Sequence, residues 1–420
     1  MHDSAVEAGE VTITATRCRD AEEAAQRASR FASTGIRTRR VVSRSSPVAP
    51  TLPAGRGPRS STFVASHRAS PAPGARSPPG ARPTPLSKRG RLPAPSGWSP
   101  MTTTARHGGA FSATLAGVLD RLRGGGSALV PDARLDGQTV LVTGASRGLG
   151  RAIATGLGAL GAHVIVPVRT LGAETVAAIE EAGGRATAMS LDLLSLASVD
   201  ALVHHLAADG VRLDRLVLNA GMVPKASRLS GDGFDAMLQV NFLSNTRLVA
   251  GLLESGVLRP STPAPRIIVV GSESHRSAPA VDPDTITTPR TYGTGEVVAE
   301  YGRTKLLLHT WTVELARRLD TPGDHVAVHH LCPGAVNSDI AREAPGWAMP
   351  LLKLSFKLFF QSPEAAARPV IYLTAATDPG ARTGVYLHMN TRRDPAPLAL
   401  DPARGAALWS AVEAIHAARP

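Results

Sequence analysis

The 420-residue chain has only two cysteines, Cys18 and Cys332, and aromatic residues make up just 4% of it. Two cysteines in such different surroundings supply neither a disulfide framework nor the ligands of a zinc site. We therefore expect no metal and a reducing compartment, the cytoplasm. No uninterrupted apolar run approaches the roughly 18 residues of a membrane-spanning helix.

Acidic residues are missing from Ala24 to Pro100. Residues 1–100 hold 16 of the 46 Lys and Arg but 6 of the 34 Asp and Glu, so they carry +10 of the net charge of +12. Pro, Ser, Ala and Arg dominate this stretch, which has too little apolar surface to offset the entropy of ordering it. We predict a disordered basic leader over 1–100 and a lead-in segment over 101–134.

Three interpretations of this leader stay open. It is translated upstream sequence with the true start at Met101, an import signal for an organelle, or a disordered tail with its own function. Six acids within the first 23 residues disagree with an import signal. A basic tail could touch nucleic acid, but the shortage of aromatic side chains for base stacking leads us to expect no such partner.

From Leu135 onward, short apolar runs alternate with amphipathic helical patterns. The runs cover 139–144, 163–168, 185–192, 214–220, 266–271, 325–331 and 383–389. Continuous apolar strands that alternate with helices indicate a parallel sheet covered on both faces. The pattern predicts one doubly wound α/β domain of the Rossmann type over 135–420, with seven parallel strands.

The stretch "TGASRGLG", residues 143–150, joins the first predicted strand to the first helix. Gly144, Gly148 and Gly150 let the backbone turn tightly and approach a pyrophosphate, and the helix that follows offers free N–H groups to that anion. In this strand–loop–helix context the loop predicts a dinucleotide site. Its predicted contacts also include Ser146, Arg147 and Leu149.

The end of the second strand carries Arg169, where folds that bind NAD usually place an acid for the ribose 2′-hydroxyl. Arg169 and Arg147 together suit the additional 2′-phosphate of NADP, so we predict NADP(H) rather than NAD(H). Asp192 ends the third strand and is predicted to accept a hydrogen bond from adenine. Asn219 ends the fourth strand, beside the predicted cofactor.

A tyrosine and a lysine lie four residues apart in "YGRTK", residues 301–305. Such a pair shares one face of a helix. A lysine ammonium stabilises the phenolate and lowers the tyrosine pKa from its ordinary value near 10. Tyr301 is therefore a candidate general acid or base, with Lys305 as its partner.

Six motifs follow one another along the chain: "TGASRGLG", "NAG", "VNFLSN", the serine of "GSESH", "YGRTK" and "PGAVNS". Over about residues 137–390 their order resembles that of the short-chain dehydrogenases/reductases. The resemblance implies that Ser272 holds the substrate oxygen, Tyr301 is the acid/base, Lys305 contacts the nicotinamide ribose, and Asn241 supports a proton relay. It also implies cofactor contacts at Ala220, Gly221, Pro333, Gly334, Val336 and Ser338.

Ser272 and Tyr301 are 29 residues apart, about twice the separation in many members of the family. "SESHR" and this long insertion resemble the retinol dehydrogenase branch, which includes WW-domain-containing oxidoreductases. The branch implies an NADP(H)-dependent enzyme that acts on a small lipophilic alcohol, ketone or aldehyde. Two alternatives stay open: a reductase of polar or acyl-carrier-bound ketones, and a cofactor-binding regulator without turnover.

The apolar segment 346–360 includes two lysines spaced by four. It is predicted to form a lid over the substrate, a peripheral membrane contact with its lysines toward the headgroups, or an ordinary core helix. The family resemblance also implies a homodimer. We expect a cytoplasmic protein, with membrane association and organelle import as open alternatives.

Overall fold

Short strands and longer helices alternate along the chain in the computed structural model, which describes residues 131–169, 172–336 and 361–419. The strands are β1 (Thr139–Val142), β2 (His163–Val168), β3 (Arg185–Ser190), β4 (Arg215–Leu218), β5 (Arg266–Val270), β6 (Asp320–Thr321), β7 (Asp324–His325), β8 (Ala327–Cys332), β9 (Tyr386–His388) and β10 (Thr391–Arg392). The α-helices are α1 (Gly148–Ala159), α2 (Ala173–Glu181), α3 (Leu196–Ala208), α4 (Ala236–Leu238), α5 (Ser244–Glu254), α6 (Val297–Leu319), α7 (Pro363–Ala375), α8 (Pro397–Leu400) and α9 (Pro402–Ala417). A π-helical turn (Gln239–Leu243) and two 3₁₀ turns (Glu273–Ser277 and Pro283–Thr285) complete the set.

The main sheet has the strand order β10-β9-β8-β5-β4-β1-β2-β3. The pairs from β9 to β3 are parallel, which confirms the predicted doubly wound fold. The prediction of seven strands is wrong by one, because β10 adds an antiparallel edge strand to β9. Both residues of β10 are exposed, so no apolar run marks it in the sequence.

The predicted strand at 325–331 also begins too early. His325 lies in a separate two-stranded hairpin of β6 and β7, and β8 starts at Ala327. The prediction at 185–192 does find β3, although this edge strand is largely exposed rather than buried.

Alternate side chains of the strands enter two apolar cores on opposite faces of the sheet. Leu141 and Leu216 face one core, which helices α3, α5, α6 and α9 complete. Val140 and Val217 face the other core, which α1, α2 and α7 complete. Because both faces are covered, each central strand reads as a continuous apolar run.

The carboxyl ends of β1, β4, β5 and β8 meet at one edge of the sheet, and most of the predicted site residues lie there. The predicted leader, the lead-in up to residue 130, Ser338 and the segment 346–360 lie outside the described residues. In the part of the chain that the structure describes, no helix has both the length and the apolar character needed to cross a membrane.

Candidate active site

The glycine-rich loop folds tightly back on itself between β1 and α1. Gly144 adopts φ +69°, and a Cβ there would lie 2.9 Å from Cα of Ala220. A Cβ on Gly150 would lie only 2.2 Å from the carbonyl oxygen of Gly144. Side chains at these two positions would force the loop open, so the glycines are needed for the shape of the loop itself.

Helix α1 starts at Gly148 without a side chain that caps its N-terminus. Arg147 at the N-cap position makes no capping hydrogen bond, and the first turn contains no acid. The terminal N–H groups and the positive end of the helix dipole are thus left without an acidic side chain, which suits a phosphate. The loop therefore fits a pyrophosphate, with Ser146, Arg147, Gly148 and Leu149 at its edge.

Asn219 stabilises this loop through hydrogen bonds to Thr143. Its Nδ2 donates to the carbonyl oxygen of Thr143 at 3.0 Å, and its backbone N–H donates to Thr143 Oγ1 at 3.0 Å. The N–H of Ala220 binds the same hydroxyl at 3.1 Å. Thr143, which sequence reasoning missed as a site residue, thereby joins the end of β1 to the "NAG" turn that contains Gly221.

The two residues predicted to bind the adenosine half of the cofactor lie at the ends of their strands, as expected. Arg169 directly follows β2 and is exposed. Asp192 follows β3, but its Oδ1 accepts a hydrogen bond from the N–H of Leu194 at 3.0 Å, so this oxygen caps its own turn. Arg147 is also exposed.

The predicted catalytic residues converge where β5 meets α6. Ser272 follows β5, and its hydroxyl lies close enough to the Tyr301 phenol to lower the pKa of that phenol in part. The Lys305 ammonium lies 5.6 Å from the ring centroid of Tyr301 and donates to the carbonyl oxygen of Val270 at 3.1 Å. One face of α6 thus presents both Tyr301 and Lys305 to the end of the strand that carries Ser272.

The ionisation of the pair differs from the expectation. Burial, with a smaller contribution from nearby Cys332, raises the pKa of Tyr301 to about 12, although the hydrogen bond with Ser272 lowers it in part. Burial also lowers the pKa of Lys305 to about 8. The expected net lowering of the Tyr301 pKa is wrong here, because the cost of a buried phenolate exceeds the stabilising interactions.

Asn241 lies in the π-helical turn between α4 and α5. Its Oδ1 accepts from the N–H of Met222 at 2.8 Å, and its Nδ2 donates to the Met222 carbonyl oxygen at 3.1 Å and to Thr304 Oγ1 at 3.2 Å. The side chain therefore connects the segment after "NAG" to helix α6, three residues beyond Tyr301. π-Helical turns are frequent at functional sites, and this one places Asn241 between the two halves of the site.

Pro333, Gly334 and Val336 follow β8 at the same edge of the sheet. Gly334 adopts φ +84°, which favours glycine, and Gln361 Nε2 donates to the Pro333 carbonyl oxygen at 3.1 Å. Val336 pairs with Gln361 in an isolated parallel bridge. The structure thus brings these three residues to the site, while the predicted contact at Ser338 stays a prediction.

The comparisons with known proteins agree with this geometry. The family model described as short chain dehydrogenase matches residues 138–281. Retinol dehydrogenase 14 of Mus musculus is 34% identical over 295 residues, which cover 66% of this chain and 86% of that protein. Polyprenol dehydrogenase of Mus musculus is 34% identical over 308 residues, which cover 71% of this chain and 90% of that protein.

The chain belongs to the short-chain dehydrogenase/reductase family. Within it, the chain is an enzyme of the branch that resembles retinol dehydrogenases, as predicted. Among solved structures, a crystal structure of an uncharacterized protein from Mycobacterium Paratuberculosis is similar, with a TM-score of 0.50 and 25% identity. That match covers 67% of this chain and 94% of the other.

The insertion of this short-chain dehydrogenase/reductase lies beside Tyr301. Tyr292 from the insertion packs with Met237 and Val297, and Val223 and the Tyr301 ring lie against this cluster. The hydroxyl of Tyr292 donates to Asp235 Oδ2 at 2.9 Å, so this polar group has a hydrogen-bond partner while the ring packs in the apolar cluster. The insertion therefore packs an apolar side chain into the cluster that contacts the Tyr301 ring.

Sequence reasoning missed a buried group of polar residues behind Ser272. Ser274 donates to the Ser272 hydroxyl through its N–H at 3.3 Å and its Oγ at 3.0 Å. His275, three residues after Ser272, is 0% exposed. A faint signal existed for His309, which continues the four-residue spacing of Tyr301 and Lys305. Within residues 131–169, 172–336 and 361–419, no group of His, Cys, Asp or Glu side chains could hold a metal ion.

Proposed function

We propose that this chain is an NADP(H)-dependent oxidoreductase that interconverts a hydrophobic alcohol and its carbonyl compound, with Tyr301 as general acid/base. The observation that carries this proposal is the convergence of Ser272, Tyr301 and Lys305 at the carboxyl edge of the sheet. The NADP(H) cofactor would supply or accept the hydride at the carbonyl carbon. The protein would bind, orient and protonate the substrate.

Ser272 is set up to donate a hydrogen bond. Its oxygen already accepts two hydrogen bonds from Ser274, at 3.3 Å and 3.0 Å. Its own proton is thereby left for the substrate oxygen or for the Tyr301 phenol. In the reduction direction, a hydrogen bond to the carbonyl oxygen stabilises the negative charge that develops there.

Tyr301 would give its hydroxyl proton to that oxygen as the alcohol forms. A pKa raised to about 12 keeps the phenol protonated at neutral pH, which suits a general acid. Lys305, with its pKa lowered to about 8, lies on the same helix face and could return a proton to the phenolate. In the oxidation direction, Tyr301 would instead accept the alcohol proton, with Ser272 holding the same oxygen.

Asn241 would hold the two halves of the site in a fixed relative position. Its amide hydrogen bonds to Met222 and Thr304 tie the segment after "NAG" to the helix of Tyr301. This role is structural support of the proton path, as the family resemblance implies. The predicted homodimer and the predicted lid or membrane contact at 346–360 stay predictions.

The preference for NADP(H) rests on the two exposed arginines. Arg147 lies at the start of α1 and Arg169 at the end of β2, and this strand end has no acid. A guanidinium binds a phosphate through charge-assisted, bidentate hydrogen bonds, whereas an acid in this place would repel it. The remaining predicted cofactor contacts run along the carboxyl edge from Asp192 to Val336.

The preference for a lipophilic substrate is supported by the apolar surroundings of Tyr301, where half-buried Val223 lies against the buried cluster of Met237, Tyr292 and Val297. Two similar proteins are a retinol dehydrogenase and a polyprenol dehydrogenase, names that refer to lipophilic alcohols. An apolar wall gains about 0.8 kcal/mol for each methylene group that it removes from water. Longer apolar substrates should therefore be preferred.

The cofactor is tested by titrating the full chain with NADPH and with NADH while nicotinamide fluorescence is followed. We expect NADPH to bind about tenfold more tightly or better, since the two phosphate–arginine contacts together are worth at least about 1.4 kcal/mol. Equal affinities would contradict the role of the arginines. Binding of neither cofactor would contradict the proposal as a whole.

The substrate class is tested with straight-chain aldehydes of four to twelve carbons at saturating NADPH. We expect kcat/KM to rise about fourfold for each added methylene until the apolar surface of the site is covered. A flat or falling series, with faster turnover of a polar ketone such as ethyl acetoacetate, would favour the reductase of polar ketones. Tight NADPH binding without turnover of any carbonyl compound would favour the regulator.

A further inference from the structure

Three side chains at four-residue spacing on α6 contact the end of β5. The Tyr301 phenol lies beside the Ser272 hydroxyl, and Lys305 Nζ donates to the Val270 carbonyl oxygen at 3.1 Å. The third is His309, whose Nε2 accepts a hydrogen bond from the backbone N–H of Ser272 at 3.3 Å. The helix of the acid/base thus holds both the side chain and the backbone of Ser272.

Gly271 makes room for this contact. A Cβ on Gly271 would lie 2.1 Å from His309 Nε2, a distance that no side chain could tolerate. Gly271 does not adopt a left-handed conformation, so turn geometry does not explain the glycine. It is needed because the imidazole of His309 occupies the space where a side chain would be.

A second histidine holds the other polar group of the Ser272 backbone. His275 Nδ1 lies 2.6 Å from the Ser272 carbonyl oxygen, and because a carbonyl only accepts, Nδ1 must carry the proton. His275 Nε2 accepts from the N–H of Ala396 at 2.9 Å, which agrees with that tautomer. The rings of His275 and His309 lie against each other at an interplanar angle of 33°, with centroids 4.1 Å apart.

The hydrogen bonds also determine the tautomer of His309. Because Nε2 accepts from Ser272, a neutral ring has its proton on Nδ1, which lies 2.9 Å from Nδ1 of His330 on β8. His330 must then accept at Nδ1 and carry its own proton on Nε2. His309 is 1% exposed and His330 2% exposed, so water cannot substitute for either contact.

Burial keeps these rings neutral. It lowers the pKa of His275 to about 4 and of His330 to about 3, and it lowers the pKa of His309 well below its ordinary value. An imidazolium at His309 would donate from both nitrogens and would lose the acceptor for the Ser272 N–H. The contacts to Ser272 therefore depend on neutral histidines.

We propose that His309 is a positioning residue for Ser272, held in its Nδ1–H tautomer by His330 and opposed by His275 across the Ser272 backbone. Its effect on turnover rests on the proposed function, in which Ser272 holds the substrate oxygen. A displacement of a positioned group by about 1 Å can cost about a hundredfold in rate. Side chains that only fill the core would affect stability and leave this placement unchanged.

The first test determines the histidine tautomers by NMR and does not depend on turnover. In the full chain labelled with ¹⁵N-histidine, ring nitrogen NMR shifts distinguish protonated from unprotonated nitrogens. We expect protonated Nδ1 and unprotonated Nε2 on His309, and the reverse on His330, with signals assigned by their loss in H309Q and H330N. A proton on Nε2 of His309 would overturn the proposal, because that nitrogen could not accept from Ser272.

The second test compares H309L, H309Q and the control H329L, using NADPH and decanal as probes. Leucine fills the space without an acceptor, whereas the glutamine amide can accept from Ser272 and donate to His330. We expect H309L to lower kcat about tenfold to a hundredfold with the Kd for NADPH unchanged, and H309Q to restore kcat to within about threefold. His329, also buried on β8, accepts from the N–H of Val385, and no hydrogen bond joins it to Ser272.

Each outcome of the second test decides the matter. Unchanged kcat in H309L, or an equal loss of kcat in H329L, would overturn the positioning role. If H309L does not fold, H309Q decides. A kcat as low as that of the Ser272→Ala variant would overturn the proposal that a hydrogen-bond acceptor at position 309 positions Ser272. If the wild type binds NADPH but turns over no carbonyl compound, the proposed function fails, while the tautomers still test the histidine geometry.

Discussion

The two halves of the site are built in opposite ways. The half between β1 and α1 is made from backbone groups and lacks side chains where the loop closes, as at Gly144 and Gly150. The half between β5, α6 and β8 is filled with buried polar side chains, among them Lys305 and His309. An anion can be bound by repeated N–H groups, whereas proton transfer needs individual atoms at defined places. The difference therefore agrees with the chemistry proposed for each half.

The largest effect is expected from adding a side chain to the backbone half of the site. In Gly150→Ala, a Cβ 2.2 Å from the Gly144 carbonyl oxygen would force the loop open. We expect NADPH binding to weaken more than a hundredfold, about 3 kcal/mol or more. Fluorescence titration measures it, and Gly231→Ala, with no atom within 4 Å of the added Cβ, is the matched control. An unchanged Kd in Gly150→Ala would contradict this account of the loop.

The polar half should be sensitive to the loss of a buried charge. Glu273 pairs with Arg276 at 2.7 Å and accepts from the Tyr386 hydroxyl. Burial would raise the Glu273 pKa, but Arg276 and Tyr386 hold it down at about 2. We expect Glu273→Gln to lose about 2 kcal/mol in the free energy of unfolding, measured in urea, because the Arg276 charge is left without its partner.

An exposed ion pair provides the control for that experiment. Asp136 pairs with Arg134 at 2.7 Å, and the two side chains are 63% and 64% exposed. We expect Asp136→Asn to leave the free energy of unfolding nearly unchanged, because water screens this exposed pair. Equal losses in the two variants would mean that the buried position of Glu273 adds nothing.

Acid should weaken the polar half as its histidines take up protons. The folded pKa values of His275 and His330 lie below the ordinary 6.5, so the unfolded chain binds more protons between about pH 6.5 and 4. Stability is then complete above pH 6.5 and falls with pH, by about 1 kcal/mol per histidine for the first unit. The groups that face this cluster are Glu273 and Arg276 on the 3₁₀ turn, Tyr301 and Lys305 on α6, Cys332 on β8, and Tyr386 and His388 on β9.

Thermal unfolding of the wild type and of H309Q from pH 7.5 to 4.5 measures this dependence. Because H309Q removes one buried histidine, its melting temperature should fall less steeply below pH 6.5 than that of the wild type. Parallel curves for the two proteins would contradict the assignment of this acid sensitivity to the cluster. Other buried histidines, such as His416, contribute equally to both curves.

The smallest effect is expected at the rim of the backbone half. Arg169→Ala should weaken NADPH binding about fivefold, roughly 1 kcal/mol, and leave NADH binding unchanged, since NADH lacks the 2′-phosphate. The ratio of the two dissociation constants measures the preference. Arg185→Ala, an exposed arginine at the start of β3, is a control. Equal weakening of both cofactors would show that Arg169 does not read the phosphate.

The backbone half could be predicted from the sequence because glycine carries information about shape. "TGASRGLG" between an apolar run and a helical pattern predicts both the loop and its ligand class, and the alternation of runs predicts the sheet. The eighth strand could not be predicted, because the exposed residues of β10 carry no apolar pattern. The division into leader and domain stays a prediction.

The polar half was predicted only where a family motif marks it. Ser272, Tyr301 and Lys305 were found through such motifs, but the contacts of His275, His309 and His330 join a turn, a helix and a strand that are distant in the chain. No residue spacing in the sequence predicts such contacts. The direction of the Tyr301 pKa was missed for the same reason, because burial depends on the packed structure.

The most direct test of the account is NADPH oxidation with decanal by the full chain and by Tyr301→Phe. Phenylalanine keeps the ring against Val223, Met237 and Tyr292 but has no proton to give. We expect kcat/KM to fall about 10² to 10⁴-fold with the Kd for NADPH unchanged. Turnover by Tyr301→Phe at the wild-type rate would contradict the role of Tyr301, and with it the proposed chemistry of this enzyme.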